Sequence, residues 1–471
     1  MLNRLAKFWD SLQGSYWFIP SLMAVGAFLL AHVLTANNQY LQNTYAQYLQ
    51  WLYLSKPEGA RILLSTIAGS MITVAGVTFS ITIASVAYAT TQYGPRLLTN
   101  FMEDRGNQFT LGTFIATFLY CLLVLRTIAN ADVPTLQPGD AGVTGAFVPH
   151  IAVAFGVLLG IASICVLIYF IHHVPASIHA SNVIADIGAS LIDRIKVIYP
   201  NSLQPAADTQ ESTDYAELVV DKIDIQASQS IESSGNGYLQ FLDLDYLHNI
   251  ACDIDGTIVV NCRPGDYLSQ SSCLGWTITP DAANTLAAPD LDKAFIIGTK
   301  RTPAQDILFL SNELVEIAVR ALSPGINDPF TAMDCMDWLS SACRCLATRR
   351  VDKPDYLDED GTLRLLYRQV DFTEFTQTTY TRLSAYAATD RNAALHFLTT
   401  IGRVVISCPL QSQRQTLLSL LTPMLERAKQ QHCEGDVKEL QRRKAILEGI
   451  AASPMLVNRH LLREHWLAGG T

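Results

Sequence analysis

Charge is scarce in this chain. Asp, Glu, Lys and Arg supply 16% of its 471 residues, where about 25% is usual for a soluble globular domain. With a positive mean hydropathy, that scarcity excludes an ordinary water-soluble protein and calls for membrane spans. Recognisable reaction motifs are missing too. There is no Walker loop, no H-E-x-x-H pair, no nucleophile elbow and no dinucleotide fingerprint. Asp243 and Asp245 are neighbours, but they read as a strand-end and a cap residue. The expectation is a protein that is no enzyme and needs no cofactor or metal. The ten cysteines contain no C-x-x-C, and two of them, Cys121 and Cys165, fall in spans. Reduced thiols in a cytosolic domain are therefore expected ahead of disulfides or zinc. A formal charge of -10 argues against a nucleic-acid partner. No carboxylate lies inside a predicted span, so the usual proton or sodium site of a coupled carrier is lacking.

What the chain does have is one unusually long apolar stretch, Arg61 to Thr91, with no charge after its leading arginine. At ~1.5 Å of rise per residue this helix runs about 45 Å, against ~30 Å for the hydrocarbon core of a bilayer, so its inner end should project beyond the lipid tails. Helical spacing gathers Ser65, Thr66, Gly69, Thr73, Gly76, Ser80, Ala84, Ala87 and Thr91 into one sector. Only two bulky residues, Ile62 and Ile83, share it. A second line, Thr78, Thr82, Ser85 and Ala89, lies on a different face of the inner half. Small residues let helices approach closely and bond across the contact. Hydroxyls around a water-filled path could also replace part of an ion's hydration shell. Two polar faces leave room for both roles.

Three further spans flank this one. Residues 17–36 form the first, read as uncleaved because its apolar run is too long for a signal peptide and no clear cleavage site follows. The loop from Asn37 to Pro57 suits a short helix lying flat at the outer surface. Gly94-Pro95 marks a bend at the inner end of the long span, with Arg96 and Arg105 just beyond. The third span, about 109–125, carries a hydroxyl stripe of Thr110, Thr113, Thr117 and Tyr120, either packing glue or lining, and ends at Arg126. That arginine reads as an interfacial anchor ahead of a pore ring. The fourth, about 151–171, holds Gly156-x-x-x-Gly160 in a stripe with Ala152 and Ser163, a helix-packing signal. His172, His173 and His179 follow and read as solvated interfacial residues ahead of a metal site. Basic residues near the span ends put both termini in the cytoplasm.

The membrane domain thus covers 1–179, followed by a connecting helix and polar linker over 180–217, with the helix continuing the last span. Residues 218–300 form a β-rich module with turns at Asn236-Gly237 and Pro264-Gly265-Asp266. The run Gly256-Thr-Ile-Val-Val, Arg263-Pro-Gly-Asp-Tyr-Leu, Leu274-Gly resembles the barrel-sandwich hairpins of biotinyl and lipoyl carriers, without their modifiable lysine. From 301 to 452 the chain reads as helices, the first opened by a Thr302-Pro303-x-Gln305 capping box. Asp328-Pro329 caps the next. Others occupy Asp371 to Ala387, Arg391 to Ser407, Leu410 to Gln430 and Gly435 to Ala451, and 453–471 is a tail. The connection LSPGINDPFT at 322–331 reads as a stiff turn with two caps ahead of a ligand site.

The runs TVAGVTFSITI, GPRLLTNFMEDRGNQFTLGTFIATFLYCLLVLRT and LSPGINDPFTA resemble bacterial predicted membrane proteins grouped only as a domain of unknown function. The resemblance covers nearly the whole chain. It implies a bacterial inner-membrane protein with a cytoplasmic C-terminal domain, and no activity. From the residues, the leading expectation is a homo-oligomeric ion channel or pore lined by the long span, with a small ion as permeant, the lipid bilayer as surroundings and the cytoplasmic part as gate or vestibule. The alternative is a membrane-anchored scaffold or sensor whose spans only pack and whose cytoplasmic domain binds a partner.

Overall fold

The computed structural model describes residues 17–37, 56–94, 104–129, 147–200, 228–279, 291–350 and 356–452. The chain divides into two compact units, Met1–Asn182 and Val183–Thr471. Arg96, the flat helix expected before Pro57, the polar linker after Asn201 and the tail lie outside the described residues.

The first unit is built from four helices, α1 (Phe18–Ala36), α2 (Pro57–Tyr93), α3 (Arg105–Thr127) and α4 (His150–Ile178). All four are long and apolar enough to cross a membrane. Helix α3 is central, packing on α1, α2 and α4. Glycines set the close approaches. A Cβ on Gly112 would lie 2.6 Å from Met23 Sδ and 3.2 Å from Pro20 Cα of α1, and one on Gly156 would lie 2.8 Å from Leu64 of α2. Gly160 meets Ile67 at ordinary contact distance, so the Gly-x-x-x-Gly stripe of α4 receives the Leu64–Ile67 edge of α2. Helix α2 ends at Gly94, whose φ of 116° is a conformation that suits glycine; Pro95 lies outside the described residues. One expectation fails here. The last span does not continue into the next helix, because His179 is extended (φ -63°, ψ 128°) between α4 and α5 (Ala180–Ile198). Pro175 lies inside the final turn of α4 and lacks an N–H for the helical ladder.

The second unit joins sheets to helices. Strands β1 (Ser228–Glu232), β2 (Gly237–Leu242), β3 (Thr257–Val260), β4 (Tyr267–Leu268), β5 (Cys273–Ile278) and β6 (Phe295–Gly298) come from the β-rich segment. Two more, β7 (Tyr356–Leu357) and β8 (Leu363–Tyr367), come from the region read as all helical. They complete a five-stranded sheet of order β1-β5-β3-β8-β7, beside a three-stranded sheet β4-β2-β6. Pairing is antiparallel except for β3 with β8, which run parallel with Val259 opposite Leu366. A helix the sequence reading missed, α6 (Leu244–Asp253), is capped by Asp243 and shares a core of Leu239, Leu242, Leu247, Ile258, Leu274 and Leu365.

Helices α7 (Ile307–Ala321), α8 (Pro329–Ala347), α9 (Phe372–Ala387), α10 (Arg391–Ser407), α11 (Gln411–Ser419), α12 (Leu421–Gln431) and α13 (Glu434–Ala452) complete this unit. Two differences from the expected helices have physical causes. The capping box at Thr302 is not used. Gln305 instead lays its side-chain amide on Leu242, accepting from the N–H at 2.9 Å and donating to the C=O at 3.1 Å, as a neighbouring strand would. Asp306 takes over as cap, and the helix begins at Ile307. The single helix expected over 410–430 breaks at Leu420 because Pro423 has no N–H to bond back one turn. In α5, Ile184, Ile187, Leu191 and Ile195 form the buried face, and Gly188 leaves room for the ring of Trp338 on α8.

Candidate functional site

Helix α2 divides into faces that the sequence could place only relative to one another. The side packed inside the membrane unit carries Ala60, Leu64, Ala68, Met71, Ala75, Thr78, Thr82 and Ala89, all buried. Thr78 and Thr82, the start of the second hydroxyl line, are 4% and 6% exposed, and Ser85 at the edge is half-buried. The small-residue sector points the other way. At ~100° per residue its centre falls roughly 160° from the centre of the buried face, and Ser65, Thr66, Gly69, Thr73, Gly76, Ser80, Ala84, Ala87 and Thr91 are exposed. A Cβ added at Gly69 or Gly76 would have nothing within 4 Å. Bulky exposed residues flank this sector on both sides, Leu63, Val77 and Ile81 on one and Ile72, Phe79 and Ile83 on the other.

The outward hydroxyls are already bonded. Ser65 and Thr66 donate to Ile62 O at 2.9 and 2.7 Å, Thr73 to Gly69 O at 2.9 Å and Ser80 to Gly76 O at 2.8 Å. Each proton is turned back onto its own helix, so each oxygen presents lone pairs outward. The face is small, uncharged and accepting.

The hydroxyl stripe of α3 is interior. Thr110, Thr113 and Thr117 are buried, Thr117 Oγ1 and Ser163 Oγ lie 3.0 Å apart across α3 and α4, and the Tyr120 hydroxyl donates to Ala152 O at 2.9 Å. Within the single chain these threonines face neighbouring helices. Arg105 and Arg126 are exposed. Arg61 does what Arg126 does not, reaching across to donate to Ile128 O at 2.6 Å.

The sequence reading missed a polar clasp between the start of α3 and the last turns of α4. Asp104 caps α3 by accepting from Gly106 N at 2.8 Å, and its other oxygen is 2.9 Å from His173 Nε2 on α4. Tyr169 stacks on the His173 ring, with centroids 5.0 Å apart. Gly106 is small for a reason, since a Cβ there would lie 2.7 Å from His173 Nε2. The N-cap spacing of Asp104 before Gly106 was a visible signal, but its partner 69 residues away was not. His172 and His179 stay exposed, as expected. Among the described residues no three His, Cys, Asp or Glu side chains gather where a metal could sit.

The sequence pattern of the family described as "Predicted membrane protein (DUF2254)" matches residues 13–403. The chain belongs to this family. That span takes in all four membrane helices, both sheets and the helices as far as α10. The chain is also similar to uncharacterized proteins of Mycobacterium bovis and Mycobacterium tuberculosis. Each is 28% identical to this chain over 437 residues, covering 91% of this chain and 79% of the relative. No solved structure matches. The DUF2254 chain is thus a membrane protein of a family without an assigned activity, and any function has to be argued from its faces.

Four buried thiols of the second unit suit a structural use. Burial pushes those of Cys262 and Cys408 up to about 12 and those of Cys335 and Cys343 well above the usual thiol value. Protonated thiols are poor nucleophiles and poor metal ligands.

Proposed function

We propose that this protein is a homo-oligomeric ion channel or pore of the bacterial inner membrane, with both termini in the cytoplasm and no catalytic role. Copies stand around a common axis with the outward sector of α2 turned toward it, and the C-terminal region acts as gate or vestibule. The observation that carries this reading is the position of the small sector, opposite the packed face and open along its length. A helix side that met only acyl chains would have no need of Gly69, Thr73, Gly76 and Ser80 between two bulky rows. Small residues serve close approach of backbones, or water. The outward lone pairs of Ser65, Thr66, Thr73 and Ser80 favour a cation over an anion, because an anion needs donors.

The second reading, a membrane-anchored scaffold or sensor, draws on the same hydroxyls. Each has its proton satisfied within α2, so the face can pack dry against another helix with no water between.

Reconstitution in liposomes separates the two. Cation flux above that of empty vesicles, reduced by Thr73→Leu and Ser80→Leu, is expected of the pore. Flux equal to that of empty vesicles, or indifferent to both substitutions, refutes a pore lined by this face. Absence of flux together with a monomeric state in mild detergent is the outcome that favours the scaffold reading.

A further inference from the structure

Helix α2 carries two charged residues, Glu58 and Arg61, and their side chains go different ways. Arg61 turns into the membrane unit, where its guanidinium donates to Ile128 O at 2.6 Å. Glu58 stays exposed. It follows Pro57 in the first turn of the helix, and Lys56 before it is the extended N-cap, with φ -67° and ψ 153°, outside the helical repeat.

The period of the helix sets the direction of Glu58. Eighteen residues make five full turns at ~3.6 residues per turn, so Glu58 points the same way as Gly76, and Ile62 the same way as Ser80. Both fall inside the small outward sector. That sector therefore opens with a carboxylate, passes Ile62, which is 63% exposed, and reaches its first hydroxyl at Ser65, about 10 Å of rise beyond Glu58. No other charge lies on it as far as Thr91.

Negative charge in a first turn also suits the helix dipole. The dipole leaves the direction open, however, since an acid at position 59 would serve it equally and stand ~100° round the helix. Here the single acid of α2 is in line with the open face. Around a common axis each copy adds one such carboxylate at the same level, and a mouth walled by one sign of charge concentrates counter-ions and depletes co-ions.

We propose that Glu58 is a specificity-determining residue, forming a ring of carboxylates at the mouth where α2 begins that draws in cations and turns anions away. The inference rests on the pore reading of the outward sector and adds a selectivity that acts at a distance. Hydroxyl lone pairs act on contact. A carboxylate acts over the screening length, about 10 Å in 0.1 M salt.

The test uses the full chain in planar lipid bilayers under a KCl gradient, with the potassium-to-chloride permeability ratio read from the reversal potential. Glu58→Gln is expected to lower that ratio about tenfold, Glu58→Lys to lower it further and Glu58→Asp to keep most of it. In KCl near 1 M, where screening shortens to about 3 Å, the gap between the unaltered protein and Glu58→Gln should narrow. A ratio that ignores the charge at 58, a loss in Glu58→Asp equal to that in Glu58→Gln, or a gap that salt leaves untouched overturns the proposal. So does a Glu58→Gln variant that melts lower with its ratio unmoved, since the charge then serves only the helix. The two readings fail differently. Absence of current from the unaltered protein and from every variant refutes the pore and the ring with it, whereas current with a ratio indifferent to position 58 refutes the ring alone.

Discussion

At the scale of single residues, glycines separate the fold from the assembly. Gly112 and Gly156 are filled positions, pressed by Met23 and Leu64, whereas Gly69 and Gly76 face open space within the chain. Gly112→Val is expected to destabilise the membrane unit by about 1–3 kcal/mol through overpacking, read as a lower melting temperature in detergent at any protein concentration. Gly76→Val should leave that temperature unchanged and lower the oligomeric state seen by native mass spectrometry. Helical spacing divides α2 into a small sector and a second hydroxyl line. It could not say which side the bundle would cover, because that is decided by Leu64 against Gly156, 92 residues along the chain. Removing the Thr117 hydroxyl as Thr117→Val leaves Ser163 without its partner across α3 and α4, and should cost on the order of 0.6–1.7 kcal/mol, visible as a shift in the same melt.

At the scale of elements, the second unit is tied together at the Arg263-Pro-Gly-Asp turn. Arg263 donates to both oxygens of Glu374 at the start of α9, one of them at 2.7 Å. Gly265, at φ 100°, lies directly on the Asp306 carboxylate, which accepts from Arg301 at 2.9 and 2.6 Å and caps α7 through Phe309 N at 3.0 Å. Burial pushes the Asp306 carboxyl above the usual range, against the pull of Arg301. Glu374 goes the other way. The hydrogen bonds from Arg263 hold its carboxyl below the usual range, outweighing its burial. A carboxyl depressed in the folded state stabilises above its unfolded value, ~4.3, and that contribution is lost as the pH falls through the folded one. The melting temperature of the second unit should therefore drop on acidification below about pH 4, and Glu374→Gln should flatten that part of the profile while lowering stability at pH 7. Gly265→Ala, with no room and a left-handed backbone, should destabilise more than a typical surface change, by roughly 2 kcal/mol or more. Among elements, the strands and helices with clear period or caps were legible, Arg391–Ser407 to the residue. The parallel pairing of β8 with β3 was not, because a five-residue strand 103 positions further on carries no local sign of its partner. Nor was the use of Gln305 as a surrogate strand, which needs Leu242 in place before the capping box has a competitor.

On the scale of the whole molecule, the low charge content and four apolar runs already determined a membrane protein, and membership of the DUF2254 family is carried by residues 13–403. Four polar contacts tie the helices of the first unit together: Asp104 with His173, Thr117 with Ser163, Tyr120 with Ala152 O and Arg61 with Ile128 O. One side of α2 stays outward and carries a line of hydroxyls. The long helix has a further consequence. The candidate span within it, Pro57–Thr91, holds 35 residues, about 52 Å of rod, and leaning it into a ~30 Å hydrocarbon layer would take more tilt than the 0–40° that spans adopt. A membrane of ordinary thickness therefore leaves this rod under-covered, and longer acyl chains relieve the mismatch. The protein should melt at higher temperature in vesicles of C22 lipids than in C14 lipids, which would make acyl-chain length a variable to which this fold is tuned.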